Sequence, residues 1–168
     1  ISEGVTKIES VTFSGCAGIK SVRIPEGVTE IGRRAFSGCS ALERIALPAS
    51  LQSIGDGAFS GCPGLEVDVP DLSVWLNAWA DPNNYSTFSD GWELYVGGEK
   101  VTDLVLPEGV TKVGDYAFAG CASLRSVHIP EGVTEIDGFA FSECTALEEV
   151  FLPASLVLLD ANVFYGAA

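Results

Sequence analysis

The chain has 168 residues, 47% of them hydrophobic and 19% charged, which is enough for one domain with a sizeable core. Nine basic residues against 23 acidic ones give a net charge of −14, which repels nucleic acid and excludes DNA and RNA as expected partners. No apolar run approaches the roughly 18 residues of a membrane helix, and no polybasic run offers itself to an anionic lipid surface, so no membrane insertion is expected.

Three residue types share one period along the chain. Cys16, Cys39, Cys62, Cys121 and Cys144 are spaced 23, 23, 59 and 23 residues apart. Pro25, Pro48, Pro70, Pro107, Pro130 and Pro153 are spaced 23, 22, 37, 23 and 23. Phe13, Phe36, Phe59, Phe118, Phe141 and Phe164 keep the same phase. A fixed period of this length is the signature of a repeat architecture. Glycine, with 19 residues spread through an apolar sequence, adds many tight turns.

A typical unit runs from Cys121 to Cys144. Val127 and Ile129 alternate as a strand does, and Pro130, which has no N–H for a ladder, ends that strand. Val133 and Ile136 form a second apolar edge, and Ala140-Phe141 a third. Gly132 and its equivalents Gly4, Gly27 and Gly109 sit at a turn where Ser50 and Ser155 stand in two other units. One unit cannot bury these edges alone. Stacked units can, with strands about 4.8 Å apart in parallel sheets.

The run Leu42–Pro48, the run Gly27-Val28-Thr29-Glu30-Ile31-Gly32 and Ala35-Phe36-Ser37-Gly38-Cys39 together resemble the 23-residue BspA-like, or treponemal-type, leucine-rich repeat. The resemblance covers nearly the whole chain apart from one insertion. It implies a repeat solenoid, a right-handed leucine-rich-repeat coil with short parallel strands and about seven repeats, forming a single domain over 1–168. It also implies a bacterial cell-surface or secreted protein that adheres to or binds other proteins, host extracellular proteins among them. No residue-level binding motif comes with the family.

Both ends fall inside a unit. Gly4-Val5-Thr6-Lys7-Ile8 matches Gly27–Ile31, and Phe164-Tyr165-Gly166-Ala167 matches Phe141-Ser142-Glu143-Cys144. The chain opens on Ile1, contains no Met and shows no polar cap. The expectation is a piece of a longer array, with further repeats of the same chain as its neighbours.

The spacing of 37 between Pro70 and Pro107 is 14 longer than one period. The phase recovers if Leu94-Tyr95-Val96-Gly97 fills the Ala-Phe-x-Gly slot, because Tyr95 stands 23 residues before Phe118. That in-phase reading is preferred over a hairpin of Glu93–Val96 and Glu99–Thr102 around Gly97-Gly98. It confines the insertion to about 71–92, within the middle repeat. Leu72, Trp75, Leu76 and Trp79 share one helical face, Asp71 serves as N-cap and Asp81-Pro82 ends the helix. Trp75, Trp79 and Trp92 all fall here, with Tyr85 and Phe88. Their preferred role is to seal the helix onto the solenoid. The alternative is a binding hot spot, which such residues favour, with the loop Asn83–Asp90 as a partner-facing element.

No catalytic chemistry is visible. His128, the single histidine, lies between Val127 and Ile129 and points outward, and no nucleophile elbow surrounds a serine. The cysteines recur at one slot that Gly98 and Ala167 also fill. They therefore read as small buried hydrophobes without the pairing of a zinc site. Asp56, Asp115, Asp137 and Asp160 recur once per coil and read as solvated turn residues, since the Asp81-x-Asn83 and Asp90-Gly91 stretches make no calcium loop. Asn84-Tyr85-Ser86 is a formal glycosylation sequon, relevant only in a eukaryote. No cofactor and no metal are expected.

Between the inward strand positions stand Arg23, Ala46, Asp68, Val105, His128 and Phe151, with Ser21, Arg44, Asp103, Ser126 and Glu149 two residues earlier. No charge or aromatic ladder is expected from them. In the last coil Phe151, Val157 and Leu158 take outward slots, the mark of a covered surface. The expected function is non-enzymatic protein recognition, adhesion to host proteins included. The candidate partner-binding residues are Trp75, Trp79, Tyr85, Phe88, Trp92, Phe151, Val157 and Leu158. A structural spacer without its own ligand is the first alternative. A carbohydrate-binding accessory module is the second, and a hydrolytic version of it would need paired carboxylates in a cleft.

Overall fold

The computed structural model describes residues 4–78, 88 and 91–167. Their element order is β1 (Lys7–Ile8), β2 (Ser21–Arg23), β3 (Glu30–Ile31), β4 (Arg44–Ala46), β5 (Ser53–Ile54), β6 (Glu66–Val69), α1 (Leu72–Ala78), β7 (Glu93–Val96), β8 (Glu99–Lys100), β9 (Asp103–Val105), β10 (Lys112–Val113), β11 (Ser126–His128), β12 (Glu135–Ile136), β13 (Glu149–Phe151) and β14 (Leu158–Leu159). Each regular coil gives one strand to each of two sides of a solenoid, and at the insertion α1 and the return strand of the β7–β8 hairpin take the place of second-side strands. On the first side the sheets run β2-β4-β6-β7-β8 and β9-β11-β13; on the second they run β1-β3-β5 and β10-β12-β14. Every pairing between coils is parallel and in register, so that Val22 faces Ile45, Val67 and Leu94 in turn, and Ile8 faces Ile31 and Ile54.

The recurring residues stack as columns. Phe13, Phe36 and Phe59 lie with ring centroids 5.1 and 5.6 Å apart, and Phe118, Phe141 and Phe164 at 5.2 and 5.8 Å. Phe36, Phe59, Phe118 and Phe141 are fully buried, each contributing about 1.5–3 kcal/mol by leaving water. The backbone beneath them bonds from coil to coil. Phe13 N–H donates to Ala35 O at 2.7 Å, Phe36 N–H to Ala58 O at 2.8 Å and Phe118 N–H to Ala140 O at 2.8 Å. No coil satisfies these groups internally, so the stack is the smallest stable unit.

The cysteine column packs beside the rings. Cys39, Cys62, Cys121 and Cys144 are buried, and no disulfide joins any of the five cysteines. The Sγ–H groups of Cys39, Cys62 and Cys144 donate to Phe13 O, Phe36 O and Phe118 O of the preceding coil at 3.1–3.2 Å. Burial pushes the Cys121 thiol up to about 11 and raises those of Cys39 and Cys144 as well.

The turn that tolerates serine uses it. Ser50 Oγ accepts from Gly27 N–H at 3.0 Å and donates to Val28 O at 2.8 Å; Ser155 does the same with Gly132 N–H and Val133 O at 2.9 Å each. Glu26 and Glu131 reach forward to accept from Ala49 N–H and Ala154 N–H. A Pro-Glu-Gly-Val turn is thus stitched to the Pro-Ala-Ser-Leu turn of the next coil.

The insertion departs from the in-phase expectation. Leu94-Tyr95-Val96-Gly97 does not fill the Ala-Phe-x-Gly slot. β7 instead pairs in register with β6, Leu94 on Val67, and turns back on β8 as an antiparallel hairpin. Gly97 and Gly98, at φ 59° and 85°, supply the two left-handed residues such a tight turn requires, so Gly98 is a hairpin residue and not a cysteine equivalent. The aromatic column is carried by other residues: Phe88 stacks on Phe59 at 5.4 Å and on Trp92 at 4.5 Å, with Trp75 4.9 Å from Trp92. α1 begins as expected, with Asp71 accepting from Ser73 N–H at the N-cap; the Ser73 hydroxyl and this N–H together hold the Asp71 carboxyl below the usual range.

The junction with the next coil is made by indoles. In regular coils the carbonyls of the Ala-Phe turn accept from backbone N–H groups of the coil before. Here Trp75 Nε1–H donates to Ala117 O at 2.9 Å and Trp92 Nε1–H to Ala119 O at 2.8 Å. Trp92 also bridges to Cys121 as a parallel rung. Two tryptophan side chains thereby stand in for main-chain donors.

Candidate functional site

The outward positions of the strand side differ between its two sheets. On β4, β6, β7 and β8 they carry charges that neutralise one another. Arg44 pairs with Asp68 at 2.9 Å and Glu66 at 3.8 Å, and its guanidinium lies 5.4 Å from the Tyr95 ring centre. Lys100 on β8 pairs with Glu93 at 2.6 Å. Tyr95 Oη donates toward Glu66 and Glu93 at 3.4 Å; partial burial, followed by these carboxylates, raises its phenol.

On β9, β11 and β13 the same positions hold Val105, His128 and Phe151 in direct register. Val105 is 64% and Phe151 46% exposed, and the His128 ring lies flat on Phe151 with centroids 4.0 Å apart. This corrects the expectation that no ladder forms: an exposed apolar–aromatic strip runs across three coils. It escaped sequence reading because its members differ in type. The repeat aligned the three positions, but only the structure shows that Val105 and Phe151 are exposed and that His128 lies flat on Phe151.

Asp103 edges the strip. It accepts from Ser126 Oγ at 2.7 Å and Thr102 Oγ1 at 2.8 Å, and these bonds hold its carboxyl below the usual range. A groove of about 620 Å³ lies alongside, lined by Thr102, Asp103, Arg125, Ser126, Glu148 and Glu149.

The candidate partner-binding residues divide. Phe151, Val157 and Leu158 are exposed, Val157 at 84%. Trp75, Phe88 and Trp92 are at most 7% exposed and belong to the dry column, although an edge of Phe88 reaches the floor of a groove on the turn side. The reason is positional, since the indoles and the phenyl ring fill the aromatic slots that the insertion would otherwise leave empty. Trp79 and Tyr85 lie outside the described residues, as do the sequon at Asn84 and most of the Asn83–Asp90 loop.

His128 is exposed on its strand, and no nucleophile lies in hydrogen-bond contact with it among the described residues. The aspartates do not form one column. Asp56 pairs with Arg33 at 3.2 Å. Asp115 lies with Asp137 and Asp160 beyond the insertion, and burial followed by repulsion from Asp137 raises its carboxyl. Lys112 holds Asp137 at 2.9 Å and Glu135 at 3.3 Å. Among the described residues no three His, Cys, Asp or Glu side chains are grouped to hold a metal, and no described helix is long and apolar enough to cross a membrane.

Comparison with known proteins gives a consistent picture. The model of the BspA type leucine rich repeat region matches in six copies over residues 1–72 and 93–168, leaving out only the insertion. A leucine-rich-repeat protein of T. pallidum is 30% identical over 89% of this chain and 64% of its own, with a TM-score of 0.54. One from Bacteroides ovatus is 28% identical over 90% of this chain and 42% of its own, at 0.56. A leucine-rich cell surface protein of Faecalibacterium prausnitzii is 28% identical over 89% of this chain and 45% of its own, at 0.51. The chain thus spans less than two thirds of the length of these structures. No curated protein matches it in sequence.

Proposed function

Since the chain belongs to the BspA-type leucine-rich-repeat family, we propose that it is a non-catalytic recognition module displayed outside the cell, binding an extracellular protein through the strand side of its last coils. The observation that carries this reading is the strip Val105–His128–Phe151. Exposed apolar residues in register on a rigid sheet have no role in the core they turn away from. A stack of this kind loses little entropy on binding, and aromatic residues are enriched where binding energy concentrates. The F. prausnitzii neighbour is described as a cell surface protein, which supports the location. Leu152 and Leu159 stand at inward register positions yet are each 45% exposed. They support a further coil of the same chain stacked on β13 and β14.

The test is capture from a panel of purified host extracellular proteins, followed by titration of each hit against Val105→Ser/Phe151→Ser. The expected result is a partner whose affinity falls at least about tenfold in the double variant, with the far-UV CD spectrum unchanged. Equal affinity of the variant would remove the strip from the function. A panel in which nothing binds would favour the spacer.

A further inference from the structure

A second surface, on the turn side of the coils, is built differently. The Ala-Phe turn places two residues per coil in left-handed backbone. The first slot holds Val11, Arg34, Gly57, Tyr116, Phe139 and Asn162; the second holds Gly15, Gly38, Gly61, Gly120, Glu143 and Gly166, all with φ between 54° and 75°. Glycine adopts this region freely, and a side-chain-bearing residue does so only against steric resistance. Glu143, at φ 56°, is the one exception in the second slot. Its carboxylate lies directly against Gly166, where a Cβ would collide with it.

The residues around Glu143 are aromatic only in this half of the molecule. Tyr116 and Phe139 stack with centroids 5.0 Å apart and planes 2° from parallel. Tyr165, 61% exposed, meets Phe139 edge-on at 6.4 Å and 69°. A groove of about 720 Å³ opens between these rings, Phe88, Ser142, Glu143 and Thr145, and no basic residue lines it among the described residues. No ion pair to Glu143 exists among the described residues.

We infer that this groove receives the guanidinium of an arginine presented by a basic protein partner. Two aromatic planes meeting at a steep angle, beside a carboxylate without an ion pair among the described residues, match a planar cation, which stacks on rings and bonds a carboxylate through its fork of N–H donors. The net charge of −14 draws such a partner in. The inference rests on the recognition reading only in taking the partner to be a protein. The groove and the strand strip are separate surfaces and are tested separately.

The probes are the peptide Gly-Arg-Gly-Arg-Gly, its citrulline and lysine counterparts, and tetramethylammonium chloride, each titrated into the full chain while the aromatic ring resonances are followed by NMR. The expected result is that the arginine peptide shifts the rings of Tyr116, Phe139 and Tyr165. The lysine and citrulline peptides should bind more weakly, and Glu143→Gln and Tyr165→Ala should each weaken arginine binding at least about threefold. Glu143→Gln keeps the side-chain shape, and its thermal melt reports folding independently. Phe151→Ser should leave arginine binding unchanged, so loss of strip recognition cannot be mistaken for loss of the groove. Equal binding of the arginine and citrulline peptides, an unchanged Glu143→Gln titration, or tetramethylammonium binding as tightly as arginine would each overturn the inference.

Discussion

The coils before the insertion and those after it share one core and differ in what they turn outward. Both halves stack Phe on Phe and Cys on the preceding carbonyl at nearly the same distances. In the first strand-side sheet, β2 to β8, outward positions close on themselves, Arg44 with Asp68 and Glu66, Lys100 with Glu93. In the second, β9 to β13, Val105, His128 and Phe151 remain open, and the turns of the same coils add Tyr116, Phe139 and Tyr165. The repeat fixes inward chemistry because each inward side chain must fit its counterpart one coil away. It places no such demand outward, so the outward differences between the halves are where function has room to reside.

The comparison is broken most severely through the shared core. Phe36→Ala should cost about 3–5 kcal/mol, because a fully buried ring leaves a cavity that both neighbouring coils line. Trp92→Phe tests whether the joint is built as the coils are. It keeps a ring but removes the donor to Ala119 O, and should cost about 1–3 kcal/mol for the orphaned carbonyl. Chemical denaturation reads both. A Trp92→Phe protein as stable as the parent would mean that the indole N–H bond does not tie the halves together.

Smaller changes sharpen the outward contrast. Glu143→Gly should stabilise the fold by about 0.5–1 kcal/mol, the relief of left-handed strain less the greater freedom of glycine in the unfolded chain. A gain there together with loss of arginine binding would show a residue kept for its carboxylate. Arg44→Ala, in the self-paired half, should change stability by less than about 1 kcal/mol and by less still at high salt. Acidity offers a further discriminator. The Asp115 carboxyl is raised in the folded protein, so its contribution to stability is present below the ordinary carboxylate range and lost as pH rises through the folded value. The lowered carboxyls of Asp103 and Glu131 act in the opposite sense, contributing above that range and losing it as pH falls. Asp115→Asn should therefore raise the melting temperature at neutral pH and leave it unchanged in strong acid.

What was legible in the sequence follows the same division. Phe, Cys and Pro at a 23-residue period reported the stack, its parallel sheets and its inward residues, because core complementarity forces identity from coil to coil. The helix at Leu72 was legible from its Asp71 cap and its apolar content, but the face it buries is Val74, Trp75 and Ala78, with Leu72 and Leu76 half-buried at its edge. The phase of Tyr95 misled: its distance to Phe118 matched the period, but Gly97-Gly98 imposed a hairpin, and Phe88 and Trp92 filled the column from irregular positions. The tryptophans announced themselves by composition, but nothing in their spacing says that an indole N–H replaces a backbone donor. The strip was half legible: its three positions were aligned and Phe151 stood out, but unlike residues did not announce a shared surface. The turn-side rings were not legible, because nothing in the repeat marks Tyr116, Phe139 and Tyr165 as a group. The Ser50 and Ser155 bridges were half visible, as a tolerated substitution whose hydroxyl had no stated task.

The buried thiols carry one more consequence. Protonated and shielded, with Cys121 held up near 11, they resist alkylation for as long as their own winding stays shut. Four of them are set along the axis at Cys39, Cys62, Cys121 and Cys144, two on each side of the joint. A brief pulse of iodoacetamide followed by peptide mass analysis would therefore date the opening of each winding separately, turning the protein into its own recorder of where fraying begins and whether the tryptophan joint halts it.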